Sequence, residues 1–136
     1  MTTGAIEEIE HTADRAIRVR GRDREELFVN AALGMTMLMA DVSAIEPNVE
    51  RQVELEAFDT ETLLVSWLGE LLWLNEDSGA VFVRYEIKQL RPTRLEAVVW
   101  GDVAPSQWKH IKAVTFHDLK IVAKETGYEV TLVFDV

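Results

Sequence analysis

Cysteine is absent from all 136 residues, which removes disulfides, thiolate zinc sites, iron–sulfur ligation and thiol nucleophiles in one step. Positive charge is scarce: 14 Lys+Arg stand against 24 Asp+Glu, a formal net charge of −10. Such a surface repels a phosphate backbone, whereas free-standing nucleic-acid binders carry a basic patch and a high pI, so no direct nucleic-acid binding is expected. The pI of about 4.7 suits a chain that binds cations or a basic patch on a protein partner. No apolar stretch approaches the roughly 20 residues of a membrane span. Met1–Glu8 lacks a basic region followed by an apolar run. The chain therefore reads as cytoplasmic and without membrane contact.

Motifs that announce enzymes are missing as well. The seven glycines form neither a dinucleotide fingerprint nor a phosphate-cradling loop, and there is no Gly-x-Ser-x-Gly elbow. His11, His110 and His117 have no helical His-x-x-x-His spacing, so a zinc site would need distant residues. With 24 carboxylates, an apparent acid–base pair carries almost no information. A stand-alone enzyme is not the preferred reading.

What is present is the pattern of one folded domain over residues 1–136, with hydrophobic residues at 48% and charged residues at 28%. Between Arg24 and Ala40, Leu27, Phe28, Ala31, Ala32, Met35, Leu38 and Met39 recur at helical spacing, and Asp23 with Glu26 resembles a capping box. A second helix is predicted from about Thr60 to Asn75, capped by Asp59, with Leu63, Leu64, Trp67, Leu68, Leu71, Leu72 and Leu74 in a broad apolar stripe. Elsewhere the period is two. Ile17 and Val19 alternate with Arg18 and Arg20, and Val53, Leu55 and Ala57 with Gln52, Glu54 and Glu56. Residues 80–90 and 95–103 form a predicted hairpin around Arg91–Arg94, and residues 116–124 and 128–136 a second around Gly127. The expected class is α+β: a mainly antiparallel β-sheet with both amphipathic helices packed on one face.

Four strings stand out. His11-Thr12-Ala13-Asp14 is either a turn in which Thr12 or Asp14 bonds the backbone, or an oxygen ligand, Asp14, oriented by His11. Trp108–His117 holds Lys109, His110, Lys112 and His117, a local cationic exception in an acidic chain. The ending Val133-Phe134-Asp135-Val136 gathers hard oxygen donors. The arginines at 15, 18, 20, 22 and 24 read first as a charged outer face offset by acids, and second as an anion or partner contact.

Taken in order, these strings resemble the archease family. The resemblance rests on His11–Asp14, Val19-Arg20-Gly21 and Glu25–Ala32, then Leu63–Leu72, Ile111–His117 and Phe134-Asp135-Val136, and so spans nearly the whole chain. It implies a strand-helix-strand-strand core with an inserted helix-and-strand segment. It also implies a metal-binding accessory protein, not itself an enzyme, which activates an RtcB-type RNA ligase in tRNA splicing and RNA repair by promoting ligase guanylylation and multiple turnover. The resemblance places a divalent cation, Ca2+ first and Mg2+ or Mn2+ as alternatives, between Asp14, Asp135 and an oxygen of Val136. It marks Lys112, with His11 and His117 nearby, as the ligase-activating set. In this chain Arg15 follows Asp14, an arrangement that would weaken the cation's hold. The alternative functions are a general chaperone or protein-interaction module and, third, a metal-dependent hydrolase using the same carboxylates. The oligomeric state is left open.

Overall fold

The structure, a computed structural model, describes residues 5–9, 15–107, 109–116 and 118–136. Strand β1 (Ile6–Ile9) runs antiparallel to β2 (Arg15–Gly21), and helix α1 (Arg24–Met39) follows. After a short 3-10 turn at Val42–Ala44 come β3 (Val49–Glu56), α2 (Thr60–Ser78), β4 (Ala80–Arg91) and β5 (Arg94–Val103). The chain closes with β6 (Ala113–Thr115), β7 (Val122–Lys124) and β8 (Gly127–Asp135). The class is α+β, as the periodicities require, and every strand pairing is antiparallel. The strands divide between a five-stranded sheet, ordered β1-β2-β8-β6 with β7 also beside β8, and a three-stranded sheet ordered β3-β5-β4.

Local chemistry explains both helices. Asp23 accepts the Glu26 N–H at 2.8 Å, while the Glu26 carboxylate reaches one residue further than a capping box requires and accepts the Arg22 N–H at 3.0 Å. The hydrogen bond from the Arg22 guanidinium, then that from its backbone, hold the Glu26 carboxyl below its usual range. Helix α2 starts at Asp59, which accepts the Thr62 N–H at 2.8 Å. It runs three residues beyond the expected end at Asn75, to Ser78, where Gly79 takes a left-handed φ of 76° and donates its N–H to the Asn75 carbonyl at 2.7 Å.

Both helices bury their stripes in one core with the inner faces of the sheets. Trp67 is fully buried at its centre. Its indole N–H donates to the Phe28 carbonyl of α1 at 3.0 Å, and its ring meets Tyr85 of β4 edge-on at 6.1 Å. The Tyr85 hydroxyl donates to the Phe82 carbonyl and lies 3.1 Å from the Thr36 hydroxyl, and burial pushes it above the usual phenol range. This anchor sits at a register shift between Phe82 and Arg84, where only glycine fits opposite: a Cβ at Gly101 would come within 2.0 Å of the Val81 carbonyl oxygen.

Two details depart from expectation. Residues 116–124 are not one strand: β6 and β7 pair with different stretches of β8, and the chain leaves the sheet between them. Asp118 adopts a φ of 58°, Leu119 N–H closes a turn on the Phe116 carbonyl, and Ile121 N–H reaches the Glu61 carboxylate of α2 at 3.3 Å. Leu119 and Ile121 are apolar because they tuck against the core, not because they alternate across a ladder. The opening segment Ile6–Ile9 is a strand, hidden from periodicity because two consecutive glutamates separate its isoleucines. The arginine run, by contrast, is the offset charged face its first reading expected: Arg15 pairs with Glu8 at 2.7 Å, Arg18 with Glu7 at 2.9 Å, Arg20 with Glu129 at 2.9 Å and Arg22 with Glu26 at 3.0 Å, while Arg24 lies over the Tyr128 ring.

The start of β8 meets the end of β2 at a glycine contact. Gly127 has a φ of 143°, and a Cβ there would come within 2.1 Å of the Gly21 carbonyl oxygen. Gly127→Ala is therefore expected to destabilise the fold by roughly 2 kcal/mol or more in urea unfolding. Because folding depresses the Glu26 pKa, its contribution is complete above the unfolded carboxyl value near 4.3 and is lost as pH falls through the folded value. Glu26→Gln should accordingly lose less melting temperature than the parent protein between about pH 6 and pH 3, as followed by circular dichroism.

Candidate functional site at the end of strand β8

Along β8 the side chains of Val130, Leu132 and Phe134 point into the core, so the alternation turns Asp135 outward. Phe134 pairs with Arg15 of β2 on one side and Val114 of β6 on the other, and Asp135 pairs with Ala113. The Asp135 carbonyl accepts the Lys112 N–H at 2.8 Å. Val136 is half-buried against the main core. The structure thus brings Lys112 to Asp135 and Val136, although Lys112 and Asp135 are 23 positions apart in the sequence.

Asp14, His11 and His117 lie outside the described residues. Asp14 immediately precedes Arg15 in the chain, and Arg15 is the β2 partner of Phe134. The Arg15 guanidinium, expected to oppose a cation there, is held by Glu8. Among the described residues no three His, Asp or Glu side chains form a metal-binding group. The described donors, the exposed Asp135 carboxylate and the oxygens of Val136, are all hard oxygens; they fit Ca2+ or Mg2+ and would supply part of its coordination.

Lys112 is carried by residues 104–112, which are held by a polar cluster that sequence reasoning did not single out. Asn75, 8% exposed, forms a reciprocal amide pair with Gln107, its Nδ2 donating to Gln107 Oε1 at 3.0 Å and its Oδ1 accepting from Gln107 Nε2 at 3.2 Å. Asn75 also donates to the Ala80 carbonyl at 3.0 Å, and Gln107 Nε2 lies 3.2 Å from Nδ1 of His110. A backbone bridge from Gln107 to Ala40, and the Lys109 N–H on the Met39 carbonyl, dock the same segment on the end of α1. The available signal was Asn75 itself, a polar residue three beyond Leu72 on the apolar stripe of α2.

Two helices over antiparallel sheets, with the polar residues of interest at the end of β8, define a small α+β module whose strands β2, β6 and β8 converge on one exposed carboxylate. The archease protein family model matches residues 6–136, and the chain belongs to that family. It is 34% identical over 136 residues to the protein archease of Sulfurisphaera tokodaii, covering 96% of this chain and 98% of that protein. The solution structure of Methanobacterium thermoautotrophicum protein 1598 superposes with a TM-score of 0.79 at 30% identity, covering 97% of this chain and 99% of that one. A Thermotoga maritima crystal structure, described as an archease and possible chaperone, superposes with a TM-score of 0.69 at 25% identity over 94% of both chains.

Asn75→Ala removes the reciprocal amide pair with Gln107 and the side-chain donor to the Ala80 carbonyl, and is expected to cost roughly 2 kcal/mol. Hydrogen exchange should show the Lys109 and Lys112 amides losing protection ahead of the β3–β5 ladder; unchanged protection at both would show that the amide pair does not hold the segment.

Proposed function

We propose that this protein is an accessory protein of an RtcB-type RNA ligase, promoting guanylylation of the ligase and its repeated turnover in tRNA splicing and RNA repair, without joining RNA itself. The observation that carries this reading is the meeting of Lys112 with Asp135 and Val136, two of the blocks on which the resemblance rests, at one exposed strand end. Membership of the archease family supports it. The net charge of −10 favours a protein partner over RNA as the direct contact.

Asp14, Asp135 and an oxygen of Val136 are the residues that would hold a divalent cation, Ca2+ by preference and Mg2+ or Mn2+ otherwise. Bound there, the cation would supply a concentrated positive charge to offset the carboxylates. Lys112 has no ion pair among the described residues, so its ammonium is available for a carboxylate or a nucleotide phosphate of the ligase. His11 and His117 belong to the same proposed set, and the cytoplasm to the same reading. No helix among the described residues is long and apolar enough to cross a membrane.

The second reading, a chaperone or general interaction module, is favoured by the description of the Thermotoga maritima neighbour. Multiple-turnover ligation by a cognate ligase separates the two. Asp135→Ala is expected to weaken Ca2+ binding by roughly tenfold or more in calorimetry and to lower ligase stimulation with it. Lys112→Ala should keep the metal and the fold and lose stimulation. Full stimulation by both folded variants would remove this site from the function, and a competent ligase left unstimulated by the parent protein would favour the chaperone reading.

A further inference from the structure

Two cavities meet along the outer face of α2. One, of about 350 Å3, lies between Val65, Gly69 and Trp73 of the helix and Ile111–Val114. The other, of about 540 Å3, continues toward Gln107 and His110. They share Leu72, Glu76, Ile111 and Lys112, so they form one groove that runs from the middle of α2 to the residue bonded to Asp135. Leu72 and Ile111 form a buried apolar floor, and Trp73 on the rim is 57% exposed.

Three features mark this groove as built to be covered. Gly69 stands in the interior of a 19-residue helix, where glycine is destabilising, yet a Cβ there would meet nothing within 4 Å. No contact within the chain asks for glycine at this position; its effect is to leave the groove open. Second, an indole is left half-exposed beside that opening, the kind of side chain that anchors protein interfaces. Third, the charge is complementary to an acidic visitor. Lys112 lines both cavities and pairs with no carboxylate among the described residues, whereas the arginines of β2, Arg94, Lys88 and Lys124 are each held by one. Glu76 lines the same two cavities from the helix side, which limits the negative charge the groove admits to about one carboxylate, at Lys112. By contrast, the cavity of about 490 Å3 around Gly21 and Gly127 has its cations Arg20, Arg22 and Lys124 already engaged by Glu129 and Glu26.

We infer that the groove between α2 and the chain at Gln107 and His110–Val114 docks a short segment of the partner ligase, apolar where it lies over Gly69 and Trp73 and bearing one carboxylate where it reaches Lys112. The inference rests on the activator reading and names the surface through which it would operate. Its geometry connects docking to chemistry, because the groove ends at the Lys112–Asp135 contact.

Gly69→Leu fills the groove, and Trp73→Ala removes its rim. Binding to the purified ligase, measured by calorimetry, should weaken roughly tenfold or more for each. The Gly69→Leu melting temperature should be equal to or above that of the parent, and the Ca2+ affinity of both variants unchanged. Parent-like binding by both variants overturns the groove while leaving the activator reading in place. Failure of the parent protein to bind a competent ligase overturns that reading and the groove with it. Self-association of the parent that Gly69→Leu abolishes would assign the groove to a second copy of this chain and overturn the ligase segment as its occupant.

Discussion

The hydrogen bond from the Trp67 indole to the Phe28 carbonyl is the contact on which the architecture turns. A buried indole N–H without a partner is costly, so the pair fixes both the spacing and the rotation of the two helices. The same ring packs on Tyr85, whose hydroxyl is bound between Phe82 and Thr36, and thereby carries the constraint from α2 through the three-stranded sheet to α1. Helix α1 in turn covers β2 and β8 with Phe28, Ala31 and Met35 in a common core. The direction of β8, and with it the place where Asp135 emerges, follows from that packing.

The site owes its form to a conflict between burial and polarity at the end of one strand. Phe134 is wholly buried, and the next residue must face out; a carboxylate there stays solvated while its carbonyl ties down Lys112. The segment delivering Lys112 has little regular structure and depends on side chains for its order. Asn75 and Gln107 satisfy each other at the end of α2, where an apolar pair could have packed but would have left the Ala80 carbonyl without its donor. A buried amide pair is directional, and it sets the segment in one position against the helix. The groove beside it is the open counterpart of this arrangement, bounded by the same helix and the same segment.

Charge is organised with equal economy. Arg15, Arg18, Arg20 and Arg22 are distributed to Glu8, Glu7, Glu129 and Glu26, so most of a run that looks cationic in sequence is offset in space. Solvated pairs of this kind add little stability each, and their consequence here is mainly to offset the positive charge along β2, while Lys112 beside Asp135 has no carboxylate partner among the described residues. Arg15, which by position threatens the proposed cation, is the case where pairing matters most, because Glu8 occupies its guanidinium.

Helix positions, the β4–β5 hairpin and the α+β class were legible in the order of residues because they depend on local periodicity and on caps such as Asp23 and Asp59. The archease resemblance, too, is a property of residue order, and the family match over residues 6–136 agrees with it. Other features needed the folded chain. Strand β1 has no alternation of its own and forms because β2 offers it a partner; residues 116–121 alternate like a strand but turn inward around Asp118. The pairing of Gln107 with Asn75, the neutralised arginines, the groove at Gly69 and the contact of Lys112 with Asp135 join residues separated by many positions. Local preference reaches only the next few residues, whereas such contacts are decided by how buried faces of distant elements fit together, and that is settled only when the core closes.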